Sequence, residues 1–181
     1  MKATEAVDRY ALAKAALSQI PHPVVIVAAE HARERSCATS TVMYVSHVPA
    51  LVAIAEHPGS RTARLIEASR AMSVSILHAA QQDLAMAAGR STPGPDKFAE
   101  LRIRIVDAPR AGLPPGVAGS VAVLWCEIRE SRQAGDHVLF VGEVVAHRVD
   151  DTKIDTLLRF RRRYFNIGHS TSDEAPEGYP T

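Results

Sequence analysis

Ser60, Arg61, Thr62 and Arg64 open a helix directly after the turn His57-Pro58-Gly59. A helix start has unpaired N–H groups and a partial positive charge, so it can hold a phosphate. Two guanidiniums one turn apart add to that capacity. Four hydroxyls, on Thr39, Ser40, Thr41 and Ser46, lie on a strand further upstream, separated from the turn by a break and an apolar strand. The same residues also suit an ordinary strand, turn and capped helix, because Ser and Thr are common helix caps. A second candidate is His137, which follows Gly135-Asp136 at the base of a strand. A lone imidazole there most simply pins its own loop. Other chemistries find no support. No two histidines are closer than nine residues, and the pairs His47/His57 and His137/His147 are ten apart, so no metal site is expected. There is no Gly-x-Ser-x-Gly elbow and no glycine-rich loop ending in Lys-Ser/Thr.

The elements that must position these groups follow from hydrophobic period and breakers. Thr4 can cap a helix over Glu5–Gln19, with Val7, Tyr10, Ala13 and Leu17 as its apolar stripe, ended by Pro21 and Pro23. Val24–Ala29 is apolar on both faces, as in a strand covered on two sides. Ser36–Ser46 reads as one hydroxyl-rich strand, His47-Val48-Pro49 as a break, Ala50–Ala55 as a strand, and Ser60–Ser69 as the helix. Met72–Leu77 alternates with serines and reads as a strand. Gln81–Ala88 is a short helix stopped by Gly89, followed by a loop at Arg90–Pro95 and one helical turn at Asp96–Glu100. Leu101–Val106 is a weak strand and Pro109–Gly119 an irregular crossing. Val121–Arg129 and Val138–Val149 are long strands joined by a polar loop. Asp155–Phe165 reads as a helix carrying Arg159 and Arg161 to Arg163, whose cluster is read as a solvated face.

At 181 residues with 46% apolar content, the chain suits one domain with a real core. A net charge of +1 gives no drive toward nucleic acid or acidic membranes. Cys37 and Cys126 have no paired spacing, which argues against a disulfide framework. The N-terminus lacks a signal-peptide pattern and no apolar run approaches the ~20 residues of a membrane span. A cytoplasmic protein is expected, with no nucleic-acid or membrane partner.

Two sets of residues resemble the flavin reductase-like, FMN-binding split-barrel family. The first is Ser46, Pro49, the Leu51-Val52-Ala53-Ile54 run, Ser60, Thr62 and Ile66. The second, more specific, is Leu124-Trp125-Cys126-Glu127, Gly135-Asp136-His137 and Val141-Gly142-Glu143-Val144. Lys97-Phe98 resembles the family's charged residue followed by Phe, next to a loop that is a candidate lid. Ser36-Cys37-Ala38 departs from the family's Gly-Met-Thr, Ala50 replaces the second proline of its turn, and His47 follows Ser46. The resemblance implies a mainly β (α+β) fold, an antiparallel split β-barrel with flanking helices, over residues 20–168. A helix at 1–19 would precede it and a disordered tail at 169–181 follow. It implies a homodimer that binds FMN, or FAD, and uses NADH or NADPH as electron donor. Thr39, Ser40, Thr41, Ser46, His47, Ser60, Arg61, Thr62 and Arg64 would bind the cofactor, and His137 would border the ring as the catalytic residue. The implied function is an NAD(P)H-dependent flavin reductase that passes reduced flavin to a partner monooxygenase. The alternative is an FMN-binding protein without turnover, such as an electron carrier or sensor.

Overall fold

The computed structural model describes residues 13–150, 152 and 155–168. Residues 13–17 are helical, which is the end of the N-terminal helix expected to Gln19. Residues 1–12, and the tail expected to be disordered, lie outside the described residues.

Seven strands form one antiparallel sheet in the order β3-β2-β6-β9-β10-β5-β4. They are β2 (Val25–His31), β3 (Glu34–Ser40), β4 (Met43–Ser46), β5 (Leu51–Glu56), β6 (Ala71–Ile76), β9 (Ala122–Ala134) and β10 (His137–Val149). The short strands β7 (Ile105–Val106) and β8 (Gly116–Val117) pair with each other. A further small sheet joins β1 (His22–Pro23), β11 (Leu158–Phe160) and β12 (Arg163–Phe165). Besides the helical residues 13–17 and a 3-10 turn at Ala79–Gln81, the described residues include α1 (Arg61–Ser69), α2 (Gln82–Ala88) and α3 (Lys97–Glu100), which flank the sheets.

The curl of the sheet follows from its connectivity. β3 and β4 are its two edges, yet only Thr41 and Val42 separate them in the chain. Laid flat, seven strands would span about 29 Å, whereas two linking residues reach about 11 Å. The sheet must therefore roll until its edges approach. Across the split, the Ser40 hydroxyl donates to the Ala55 carbonyl at 3.4 Å.

β2 is buried on both faces, and its alternation divides the core in two. Val25, Val27 and Ala29 pack in one cluster with Ala63, Leu65 and Ile66 of α1, and with Ile54 and Phe140. Val24, Ile26 and Ala28 pack in the other with Ala85 and Ala88 of α2, and with Phe98. Each fully buried Val, Leu or Ile side chain contributes about 1.5–3 kcal/mol. The serines of β6 are buried as well. Ser73 donates to the Pro115 carbonyl at 2.7 Å and Ser75 accepts from the Val117 N–H at 3.0 Å. Trp125, in the core, donates to the Pro114 carbonyl at 2.9 Å. These three bonds hold the proline-rich crossing on the sheet.

Five expected elements differ in the structure. The strand expected over Ser36–Ser46 is broken at Thr41–Val42, where the chain crosses between sheet edges. The weak strand expected over Leu101–Val106 is confined to β7. The two long strands run further than expected, to a two-residue turn at Gly135-Asp136. Gly135 there has φ +66°, a conformation that glycine adopts without a Cβ penalty. The helix expected over Asp155–Phe165 is instead the hairpin β11–β12. Its turn places Arg161 at φ +47° and Arg162 at φ +66°, and β11 adds to β1. Tertiary pairing overrides a helical reading of these residues.

Candidate functional site

α1 begins where the turn after β5 delivers it. Ser60 is its N-cap, in extended conformation, and the Ser60 hydroxyl accepts from the Ala63 N–H at 3.0 Å. Thr62 is buried on the inner face, with its hydroxyl 3.0 Å from that of Ser36 on β3. This bond fixes the start of the helix against the strand.

A cavity of about 180 Å³ lies at this junction. Ser36, Ser60, Thr62, Ser91 and Thr92 line it with hydroxyls, and Arg61, Arg90 and Lys97 bring positive charge. No carboxylate lines it. Lys97 is buried, and its ammonium donates to the Ala88 carbonyl at 2.6 Å. Burial pulls the Lys97 ammonium below its ordinary value, and Arg61 adds to that effect. The Thr92 hydroxyl is buried without a hydrogen-bond partner. A buried polar group left unpaired is costly, so this cavity suits a ligand rich in acceptors.

The loop between α2 and α3 is strapped across the cavity. Arg61 donates to the carbonyls of Gly94 and, at 2.8 Å, of Thr92. Asp96 caps α3 through the N–H groups of Phe98 and Ala99. Arg35 of β3 grips the same Asp96 through two bonds, at 3.1 and 2.6 Å. The Arg35 hydrogen bond holds the Asp96 carboxyl below its ordinary value. The expected lid segment is therefore ordered and anchored, and Phe98 beneath it is 1% exposed.

The other hydroxyls of β3 and β4 are placed elsewhere. Thr39 donates to the Ala85 carbonyl of α2. Thr39, Ser40 and Thr41 line a separate cavity of about 240 Å³ with His22 and Arg159. Ser46 ends β4, and His47 lies in the exposed turn that follows, its ring 4.8 Å from that of Tyr44. Arg64 is paired with Glu34. It lines a wide open groove of about 890 Å³ between α1 and the β9–β10 hairpin, floored by Val138 and Phe140. The groove and the small cavity share Gly59, Ser60 and Arg61. The structure thus gathers Ser60, Arg61 and Thr62 in one cavity and keeps Thr39, Ser40 and Thr41 in another.

His137 stands at the tip of the β9–β10 hairpin, half exposed. Its Nδ1 is 2.8 Å from the Asp136 carboxylate, whose own value is lowered by this bond. The His57 ring meets the His137 ring edge-on at 6.2 Å. Glu56, the last residue of β5, is a buried carboxyl. Burial raises its value, against the Ser40 hydrogen bond and the charges of His137 and Lys97.

Ser36, Glu56, Thr92 and the burial of Lys97 are what sequence reasoning missed. Strand period offered one signal. Residues 36, 38 and 40 share a face and 37 and 39 the other, so a hydroxyl at 39 belongs with α2. Cys37 is buried with a thiol pushed up to about 11, and burial pushes Cys126 up to about 12; both behave as packing residues. Among the described residues no group of three His, Cys, Asp or Glu is placed to hold a metal. No described helix is long and apolar enough to cross a membrane.

Comparison with known proteins bears on this arrangement. The model of the flavin reductase like domain matches residues 17–168. An NADH-dependent FAD reductase of Streptomyces globisporus is 30% identical over 127 residues, 69% of this chain and 68% of that protein. The solved NADH:FAD oxidoreductase SgcE6 of Streptomyces globisporus superposes with a TM-score of 0.80 at 27% identity, over 90% of this chain and 95% of that one. A nitrilotriacetate monooxygenase component B homologue from Mycobacterium thermoresistibile superposes with a TM-score of 0.77 at 26% identity, over 98% of both chains. With a family match over most of its length and the same antiparallel sheet with flanking helices, the chain belongs to the flavin reductase-like domain family.

Proposed function

We propose that the protein is an NAD(P)H-dependent flavin reductase that binds flavin with its phosphate in the small cavity at the start of α1. The observation that carries the reading is the chemistry of that cavity: three cations, five hydroxyls and no carboxylate. The residues fit a flavin phosphate. The Thr92 hydroxyl lacks a partner, and the Lys97 ammonium has three N–H groups against the one acceptor found for it. Both FMN and FAD carry a phosphate at this position, and FMN is proposed as sufficient.

Bound flavin would supply the hydride-accepting chemistry, with the nicotinamide ring stacked against it. The chain's own part is placement and electrostatics. Lys97, Arg61 and the α1 N–H groups neutralise the phosphate. Asp136 accepts from Nδ1–H of His137, which leaves Nε2 as the atom that takes up or releases a proton. A charged imidazole there offsets negative charge gained on hydride transfer. Thr39, Ser40, Thr41, Ser46 and His47 are proposed as more distant contacts along the same strands, and Arg64 as a groove contact.

The protein is further proposed to act as a homodimer in the cytoplasm and to hand reduced flavin to a partner monooxygenase. Exposed Met43, Val45 and Val48 beside the split support a second copy covering that edge. The two free, buried cysteines suit a reducing compartment.

The test is the visible spectrum of the purified protein with FMN or FAD, before and after anaerobic NADH or NADPH. A bound-flavin spectrum that bleaches supports the reductase and gives the nicotinamide preference. A bound spectrum that persists makes it a flavoprotein without turnover. Free flavin only, even in excess, overturns the proposed site.

A further inference from the structure

We propose that His57 is a positioning residue that ties the two ends of the flavin site together. Its ring braces His137, and the same ring holds the turn that opens α1. The proposal rests on the reductase reading for its effect on turnover, and on contacts within the fold for the tie itself.

Strand register sets up the first contact. Val138 of β10 is opposite Glu56 of β5, so the next residues outward, His137 and His57, fall opposite each other. Side chains alternate along a strand, so the two histidines share one face, and Glu56 and Val138 share the other. The rings do meet. Their centroids are 6.2 Å apart and their planes cross at 83°, the edge-to-face arrangement that aromatic pairs favour. Asp136 holds Nδ1 of His137 at 2.8 Å. The His137 ring is therefore held twice, by a carboxylate at one nitrogen and by a second imidazole across the strands.

The second contact lies in the turn. The His57 carbonyl accepts from the Ser60 N–H at 2.9 Å, with Pro58 and Gly59 between them, residues that suit the middle of a turn. The His57 ring joins in, because its Nδ1 accepts from the Gly59 N–H at 3.1 Å. A neutral His57 therefore carries its hydrogen on Nε2. A Cβ on Gly59 would lie 3.3 Å from both Nδ1 and Cε1 of this ring, so glycine lets the ring close over the turn. Ser60 then caps α1, and Gly59 and Ser60 line both the small cavity and the groove. One side chain thus touches His137 and, two residues on, fixes the wall of the phosphate cavity. The double task needs a flat ring and an acceptor on the same side chain. Asn has the acceptor without the ring, Phe has the ring without the acceptor, and histidine has both.

The test uses the full-length protein and two variants that separate the contacts. His57→Asn keeps an acceptor for the Gly59 N–H, as in an Asx-turn, and removes the ring. His57→Phe keeps a ring and removes the acceptor. FMN affinity is read by fluorescence titration, and kcat at saturating FMN with whichever nicotinamide the wild type oxidises. His57→Phe should weaken FMN binding by about three- to tenfold, the range for one hydrogen bond lost, and lower kcat less than His57→Asn does. His57→Asn should lower kcat by about two- to tenfold, the range for one aromatic pair lost, and weaken FMN binding less than His57→Phe does. Parallel losses of affinity and kcat in both variants, or no loss in either, overturn the tie. A further readout needs neither flavin nor nicotinamide. In NMR of ¹⁵N-histidine-labelled protein, the His137 ring signals should move in His57→Asn more than in His57→Phe, and signals unmoved in His57→Asn overturn the ring contact. Nicotinamide oxidation by the wild type without the split between variants overturns this inference alone. FMN binding without oxidation overturns the reductase reading, while the affinity and NMR differences still decide the tie. A wild type that binds no FMN overturns the flavin site and the role of His57 in it together.

Discussion

The hydroxyls of Ser36 and Thr62 lie 3.0 Å apart, both buried, and bind the middle of β3 to the first turn of α1. Each satisfies the other in a place that water does not reach. Thr62→Val keeps the shape but leaves Ser36 unpaired. It should destabilise the protein by about 1–3 kcal/mol in urea unfolding. The double variant Ser36→Ala/Thr62→Val removes both partners and should recover part of that loss.

Lys97 is the buried cation of the small cavity. Lys97→Met should weaken FMN binding by about 10- to 100-fold in fluorescence titration, the range for losing a hydrogen bond to a charged group. The same variant has a signature without flavin. Burial lowers the proton affinity of folded Lys97, so the unfolded chain binds more protons between the lowered value and 10.5. Stability from this group therefore rises as pH climbs through that window. The difference in melting temperature between wild type and Lys97→Met should move in favour of the wild type as pH increases.

Glu56 gives the opposite slope. Its folded value is raised above 4.5, so the folded state holds a proton that the unfolded state releases. Its contribution is fully present below 4.5 and is lost as pH rises through the folded value. Glu56→Gln cannot titrate. Its melting temperature should gain on that of the wild type from pH 4.5 upward and level off once the wild-type carboxyl has ionised.

Arg61 latches the loop over the cavity through the carbonyls of Thr92 and Gly94. Arg61→Ala should leave the sheet intact and speed amide hydrogen exchange at residues 91–95 by about tenfold or more, as expected for local opening. Unchanged exchange there would mean that Arg35 and Asp96 suffice to hold the loop.

The sheet was legible in the sequence wherever period 2 coincided with burial. β2, β5, β6, β9 and β10 all carry apolar alternation or unbroken apolar runs, and the expected strands match them within a few residues. The hairpin at 158–165 was not legible. Its turn is made by Arg161 and Arg162, and arginine carries no turn signal comparable to Asn-Gly. Of the candidate site, the cap Ser60 and its neighbours Arg61 and Thr62 could be read from local helix chemistry. Ser36 could not, because its partner Thr62 is 26 residues away in the chain, and Glu56 could not, because only tertiary packing buries the end of β5. Lys97 reads in the sequence as part of the helical turn Asp96–Glu100, and only packing under the strap shows it to be buried.

The order of strands has a consequence for how the chain is made. The β9–β10 hairpin sits in the middle of the sheet, between β6 on one side and β5 on the other. Synthesis delivers β2 to β6 first, and until Val149 has emerged β6 and β5 lack the hairpin that pairs with both of them. The nascent chain must therefore carry exposed apolar strand edges through most of translation, when such edges are most prone to mispair. The last hairpin acts as a keystone: it completes the core and, at its tip, delivers His137 in the same step.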